Sequence, residues 1–372
     1  MLPQFRILQC YRTFFPESQG GLEQVVLEVA QNVDGCGVLT LADGPAHKCL
    51  TEGVPVIAER RWFSVASCCI GPGLVRALYR LKASLLHFHF PWPFGDLAYL
   101  LAGGSRPLIV TYHSDIVRQR FLGALYRPLM NRFLARADRI VATSENYVES
   151  SSVLAAHREK VEVIPLGISE RGYPVVSAAE LGTASERYGR DFMLFVGVLR
   201  YYKGLDHLIR AAVGRPYRIV IAGKGPELGR LQALAQELGA ENVVFAGFVS
   251  DEEKVALMKL CRAVVFPSHL RSEAFGVTLI EGLMYGKPLI SCEIGTGTSF
   301  VNQDGETGHV VSPADPDALR EAMDDLWYEP AAAERMGRAG RRRYEALFTG
   351  ERMAAAYQKL YHEVLRERGV VE

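Results

Sequence analysis

The chain has 372 residues, of which 49% are hydrophobic and 23% charged, and its 42 basic and 42 acidic side chains cancel. The length predicts two domains, each with its own core, and the zero net charge removes any global attraction to nucleic acid or anionic membrane. No apolar run is long enough to span a bilayer, the seven cysteines form no C-x-x-C pair and no signal-peptide pattern opens the sequence, so a reduced, cytosolic protein is expected.

The first half alternates buried strands with helices, the pattern of an α/β domain. Strands are expected over 5–10, 37–42, 85–89, 107–112, 139–143 and 161–165. The loop after the first strand ends FFPESQGGLEQ, placing Gly20 and Gly21 just before a helix over 22–31. Glycines there let a diphosphate or an acceptor approach the backbone closely; a plain turn explains them as well. Two histidine clusters end strands. Alternation puts His87 and His89 on one strand face, and no third ligand at metal spacing accompanies them, so structural or acceptor-binding roles are expected. His113 ends the run PLIVTYH and should project into a cleft between the domains, with Ser114 or Asp115 capping the next helix. The segment 116–137 carries Arg118, Arg120, Arg127, Arg132 and Arg136 without an acidic residue, interleaved with apolar side chains. It reads either as a core helix with a solvated basic face or as a surface for anionic lipid or a lipid diphosphate. Pro128 is expected to kink or divide it.

Periodicity lapses over 169–190, which is read as a linker between a domain at 1–168 and a second at 191–348; the final segment is 349–372. The second domain opens with a strand over 192–196 and the loop GVLRYYKG, which brings Arg200 and Lys203 to a helix N-terminus, where cations suit a departing diphosphate. A strand over 218–222 leads to Gly223-Lys224-Gly225-Pro226, and one over 242–246 leads to Gly247-Phe248-Val249, a wall for a base. Leu228, Leu231, Leu234 and Leu238 form a core stripe.

The stretch 266–288, FPSHLRSEAFGVTLIEGLMYGKP, carries the most chemistry. A buried strand ends at Phe266, a polar loop follows, Gly276 opens a helix that Gly286 closes, and another strand covers 289–292. The loop and helix N-terminus therefore lie at the carboxyl edge of a parallel sheet, where such sheets bind ligands. The amides of Ala274, Phe275 and Gly276 are free to donate to oxygens. Glu281 can accept from a diol such as a ribose and Glu273 from hexose hydroxyls, although a solvated helix face and a loop charge would look the same. Small residues over 293–299 face the same edge. Asp315-Pro316-Asp317 reads as a helix N-cap rather than a metal-binding D-x-D, and helices close the chain over 315–328, 331–348 and 351–366.

The run EAFGVTLIE resembles the E-x7-E motif of the retaining glycosyltransferases of family 4. The resemblance extends over nearly the whole chain through Gly20-Gly21, His113, Lys203 and Gly223 to Pro226. It implies a GT-B fold, two Rossmann-like α/β domains facing each other across a cleft, with a last helix that returns to the N-terminal domain. It further implies catalytic roles for His113, Lys203, Arg200 and Glu273, and donor binding by Gly20, Gly21, Gly223, Gly225, Ala274, Phe275, Gly276 and Glu281. One departure is Val198, where the family commonly has Arg directly after the glycine; Arg200 lies two residues on. The wordings YHSDIVRQR and CEIGTGTSFVN resemble bacterial enzymes that add mannose or D-rhamnose from GDP-sugars in lipopolysaccharide O-chain synthesis. The implied partners are a nucleotide-sugar donor and a glycan or undecaprenyl-diphosphate-linked acceptor, with no nucleic acid, no metal or other cofactor, and peripheral contact with the inner membrane. An epimerase of the same fold and a non-catalytic sugar-nucleotide or glycan-binding homologue are the alternatives.

Overall fold

The computed structural model describes residues 4–18, 20–65, 68–115 and 120–370, the backbone alone over 120–124. Contacts divide the chain into two compact units, Met1–Ile168 with Gly350–Glu372, and Ser169–Thr349.

The first unit contains β1 (Gln4–Cys10), β2 (Cys36–Ala42), β3 (His47–Thr51), β4 (Val54–Arg60), β5 (Phe63–Val65), β6 (Cys68–Ile70), β7 (Lys82–Phe90), β8 (Leu108–Tyr112), β9 (Arg139–Ala142) and β10 (Val161–Val163). Eight of them form one sheet in the order β10-β9-β8-β7-β1-β2-β4-β3, parallel except for β3, while β5 and β6 pair separately. The chain runs outward from β1 through β2 to β4, then returns to the other flank of β1 and runs outward again from β7. The order reverses between β1 and β7, the point at whose carboxyl edge open parallel sheets bind ligands. Strands β2 and β8 are buried throughout, as near-continuous apolar runs require when helices cover both faces.

The second unit contains β11 (Met193–Val196), β12 (Ile219–Ala222), β13 (Val243–Gly247), β14 (Ala263–Phe266), β15 (Leu289–Cys292) and β16 (Gly308–Val311). All are parallel, in the order β13-β12-β11-β14-β15-β16, and here the reversal lies between β11 and β14. Both units are Rossmann-like α/β sheets.

Three features differ from expectation. Residues 169–190, read as a linker, carry a helix: Ala178–Tyr188 is opened by a capping box between Ser177 and Glu180, and Arg187 and Tyr188 both reach Glu253 in the second unit. Its small residues hide the periodicity. Pro128 does not divide the basic segment, because one helix runs from Arg120 to Arg136. Its buried side chains Met130, Phe133 and Leu134 supply packing that offsets the backbone bond Pro128 removes. The third is the antiparallel pair β3 and β4, joined by Glu52 and Gly53, both at positive φ, as a two-residue hairpin turn demands. The exposed strand HKCLT carries no alternation to signal it.

The last helix, Gly350–Glu367, belongs to the first unit. Its buried stripe includes Met353, Tyr357, Leu360, Tyr361 and Val364, a helical spacing. Among the described residues no helix is long and apolar enough to cross a membrane.

Entry into β8 is set by Arg106. Its guanidinium donates to the carbonyls of Leu78, Leu81, Ala102 and Gly103, at the carboxyl ends of two helices, at 2.7–3.1 Å. Arg106→Ala leaves these acceptors unpaired and is expected to cost about 2–3 kcal/mol, with Arg106→Lys recovering under half of that because an ammonium cannot fan across four carbonyls. Calorimetric melting of the three proteins tests this, and equal midpoints would refute it.

Candidate active site

The site of the second unit is assembled at the carboxyl edge of β11 and β14. After β11 the chain makes the loop Gly197 to Arg200 and a single 3-10 turn, Tyr201–Lys203. Two close backbone approaches shape it. Leu199 exchanges hydrogen bonds with the turn after β12, its amide donating to Lys224 at 3.0 Å and its carbonyl accepting from Glu227 at 3.2 Å. A Cβ on Gly223 would lie 2.0 Å from the Gly197 carbonyl oxygen, and one on Gly225 2.4 Å from that of Leu199. The glycines of the G-x-G-P turn are thus demanded by the neighbouring loop.

Lys203 is buried and points across to the loop after β14, where its Nζ lies 2.5 Å from Glu273 Oε2. Ser268 Oγ donates to the same oxygen at 3.2 Å, while Oε1 has no partner among the described residues. The Lys203 ammonium also stands 4.4 Å from the centre of the Phe266 ring. Arg200 is exposed and makes no ion pair among the described residues.

The helix Val277–Met284 follows, capped by Gly276 at φ 89°. Thr278 Oγ1 donates to the Val196 carbonyl and ties its first turn to the end of β11. The amides of Ala274, Phe275 and Gly276 meet no acceptor among the described residues, as expected of orphan donors at a helix start. The Phe275 side chain turns inward against Phe300 and Phe348, so only its backbone is available to a ligand. Gly297 donates to the Ala274 carbonyl at 2.8 Å, which docks the small-residue loop onto this turn.

Glu281 is buried at 6% exposure, which excludes a solvated helix face. Tyr173 Oη donates to its Oε1 at 2.8 Å and Lys254 Nζ lies 3.1 Å from the same atom; Oε2 has no partner among the described residues. Each carboxylate therefore has one oxygen anchored and one free. Tyr173 and Lys254 were not singled out by the sequence: one lies in the segment read as a linker, the other reads as a surface helix lysine. Burial and the Glu281 charge raise the Tyr173 phenol well above its ordinary range, so it stays a donor. Phe248 is exposed, with Lys224 Nζ 5.9 Å from its ring centre. Asp315 Oδ1 accepts from the amides of Asp317 and Ala318, an N-cap.

In the first unit the corresponding edge holds a row of buried polar groups. His87 Nδ1 is 2.7 Å from Tyr361 Oη and its Nε2 2.7 Å from Thr111 Oγ1, which in turn meets Tyr357 Oη at 2.8 Å. His89 lies 2.9 Å from both Gln9 Oε1 and His113 Nε2, with the two imidazoles stacked. Burial pushes His87 and His113 down to about 3, with Arg12 adding to the effect on His113, and pushes His89 well below its ordinary value. Asp115 does not stand free as a cap: Tyr112 Oη and Ser151 Oγ donate to it. Gly20 caps the helix Gly21–Asn32. Glu23, which no motif singles out, holds this loop: its Oε1 accepts from Thr13 Oγ1 at 2.8 Å and Ser18 Oγ at 2.5 Å. A Cβ on Gly20 would lie 2.5 Å from Glu23 Oε2, so a carboxylate stands beside this helix start. Arg118 and the side chain of Arg120 fall outside the described residues; Arg127, Arg132 and Arg136 are exposed.

Two Rossmann-like units, the second with a cation and two half-engaged carboxylates at its strand reversal, define a GT-B glycosyltransferase. Residues 178–343 match the model of the glycosyl transferases group 1 and residues 19–171 that of Glycosyltransferase Family 4. The chain is 49% identical to the D-rhamnosyltransferase WbpZ of Pseudomonas aeruginosa over 92% of each chain. It is 44% identical to the O-antigen chain mannosyltransferase C of Escherichia coli, over 98% of this chain and 100% of that one. The protein belongs to glycosyltransferase family 4. Among solved structures, a sucrose-phosphate synthase from Thermosynechococcus elongatus superposes with a TM-score of 0.77 at 21% identity, covering 98% of this chain and all of that one. Anabaena HepE in complex with UDP and glucose gives 0.76 at 19%, covering 96% and 99%. At these identities they share the fold.

The histidine row makes stability depend on acid. In the unfolded chain His87, His89 and His113 bind protons near pH 6.5, whereas the folded protein keeps His87 and His113 neutral down to about pH 3 and holds His89 neutral well below its ordinary range, burial being the main cause for all three. Their stabilising contribution is fully present above pH 6.5 and declines as pH falls, each proton removing about 1.4 kcal/mol per pH unit. His87→Gln should flatten the slope between about pH 6 and pH 4 by one proton's worth in denaturant titrations. An unchanged slope would show that His87 protonates within the fold.

Proposed function

We propose that this glycosyltransferase moves a hexose, mannose or D-rhamnose, from a GDP-sugar to a lipid-linked or polysaccharide acceptor in O-antigen synthesis, with retention at the anomeric carbon. The observation that carries the reading is the pair of anchored carboxylates, each with one free oxygen, at the strand reversal of the second unit. The names of the two relatives supply the sugar and the pathway class.

Glu281 Oε2 takes the ribose diol and Glu273 Oε1 the hexose hydroxyls. Lys203, Arg200 and the amides of Ala274, Phe275 and Gly276 serve the diphosphate. Gly223 and Gly225 hold the phosphate loop in shape. In the first unit His113 meets a sugar hydroxyl. Gly20 and Gly21 stand beside the Glu23 carboxylate, which favours a hydroxyl-bearing acceptor over an anion. In the transfer step the acceptor oxygen bonds the anomeric carbon on the face that the phosphate leaves. The carbon–oxygen bond to the diphosphate breaks, its electrons stay with the phosphate oxygen, and that oxygen takes the acceptor's proton. No enzymic nucleophile is consumed, and the fixed cations do the work of a metal. The exposed Arg127, Arg132 and Arg136 give the protein a basic face for anionic lipid at the cytoplasmic side of the inner membrane, where an undecaprenyl-diphosphate-linked acceptor resides.

Thermal shifts with GDP-, UDP-, ADP- and dTDP-sugars identify the donor, the GDP-sugar raising the midpoint most. Proton NMR of the first product then shows the donor's anomeric configuration kept, with turnover unaffected by EDTA; an inverted product or complete loss in chelator contradicts the mechanism.

The carboxylates divide the labour. Ribose contacts are alike in ground and transition states, so Glu281→Gln should raise the donor KM roughly ten- to one-hundredfold and weaken nucleoside diphosphate binding equally, the loss of a charged hydrogen bond of about 1.5–3 kcal/mol. The hexose gains positive charge as its bond breaks, so Glu273→Gln should lower kcat with little change in diphosphate affinity. Calorimetry with the free diphosphate beside steady-state kinetics makes the comparison, and equal weakening by both variants would overturn the division.

A further inference from the structure

The row Gln9, His89, His113 has a direction that its hydrogen-bond chemistry fixes. Gln9 Nε2 donates to the Val26 carbonyl at 3.0 Å. A carbonyl only accepts, so the amide cannot be turned round, and Gln9 Oε1 must face His89 Nε2, 2.9 Å away. An amide oxygen only accepts, so His89 Nε2 carries the hydrogen. The neutral His89 ring then has a lone pair on Nδ1, which lies 2.9 Å from His113 Nε2. That nitrogen must therefore carry the hydrogen of His113, and His113 Nδ1 is left with a lone pair. This atom is buried, in a side chain only 4% exposed, and has no hydrogen-bond partner among the described residues.

The reverse order requires a proton added to His89, which would then donate from both nitrogens and drive the His113 hydrogen to Nδ1. The surroundings oppose it. The groups that face these rings are His87, Tyr11 and the Arg12 guanidinium, none of them anionic. Burial without a counter-charge keeps both imidazoles neutral.

We propose that Gln9 and His89 are positioning residues that hold His113 as its Nε2-protonated tautomer, so that Nδ1 offers a lone pair to a substrate hydroxyl. A buried acceptor left unpaired is costly, and a hydroxyl hydrogen satisfies it. A phosphate oxygen, which has no hydrogen to give, is repelled. His113 thus selects a neutral sugar hydroxyl and is neither a cation for the diphosphate nor a proton donor to the leaving group. The owner of that hydroxyl rests on the glycosyl-transfer reading; the tautomer does not.

The experiment is nitrogen-15 NMR of histidine-labelled full-length protein, with resonances assigned through His89→Gln and His113→Gln variants. The expected spectrum at neutral pH shows His113 protonated at Nε2 and bare at Nδ1. Addition of GDP-mannose should move the Nδ1 resonance in the sense of hydrogen-bond acceptance. A hydrogen on Nδ1, or a doubly protonated ring, overturns the proposal, and so does an Nδ1 resonance that ignores a bound donor. In folded Gln9→Met the acceptor for His89 is gone. His113 should then populate both tautomers, with kcat down about tenfold and nucleoside diphosphate affinity within twofold of the parent. A fall in kcat with the tautomer intact would reduce Gln9 to a packing role and sink the relay. If Gln9→Met does not fold, the wild-type spectra still decide. Absence of transfer from any sugar nucleotide, with the Nε2 tautomer in place, would instead remove the functional reading and leave the assignment standing.

Discussion

The ion pair between Lys203 and Glu273 joins the loops that leave β11 and β14, the strands between which the order of the second sheet reverses. Parallel strands at such a point send their connections apart, and a crevice opens unless something spans it. Here the span is a contact at 2.5 Å with about nine-tenths of each side chain buried. Two charges so far out of water are retained only as a pair, since either alone would bear its full desolvation cost. The pair therefore fixes both loops, and with them the helix start at Gly276, before any ligand arrives. A site whose charges are already in place loses little reorganisation energy during reaction.

The same economy shapes Glu281. Tyr173 and Lys254 converge on a single oxygen, which orients the carboxylate and leaves the other oxygen for a guest. Tyr173 comes from the segment that follows Ile168, and Lys254 from the helix Asp251–Leu260. A carboxylate held from two directions on one side keeps its geometry when the guest departs.

Much of this was legible in the sequence, and the reasons differ by element. The buried parallel strands announce themselves because a strand covered on both faces must be apolar throughout. Glu273, Glu281 and Lys203 stand out because glycines and helix starts frame them within a few residues. Their supports do not stand out: Tyr173 lies 108 positions from Glu281, and Gln9 lies 80 from His89, so only the fold brings them together. The helix Ala178–Tyr188 was hidden by its small residues, and the β3–β4 hairpin by an exposed strand without alternation. Gly223 and Gly225 entered the sequence reading as donor-binding residues implied by the family resemblance; the close backbone approach that requires glycine there comes from the Gly197 to Leu199 loop, which only the fold reveals.

The grouping of Gly350–Glu372 with Met1–Ile168 makes the second unit an insertion within the first. On the ribosome, Ser169–Thr349 has every residue it needs once Thr349 has emerged, whereas the first unit waits for Gly350–Glu372 to follow. Until then His87 and Thr111 lack Tyr361 and Tyr357, and the sheet face that those tyrosines cover is open to water or to a chaperone. The histidine row is therefore among the last parts of the molecule to close, and a ribosome that stops short of Tyr357 releases a chain with one finished unit and one unsealed one.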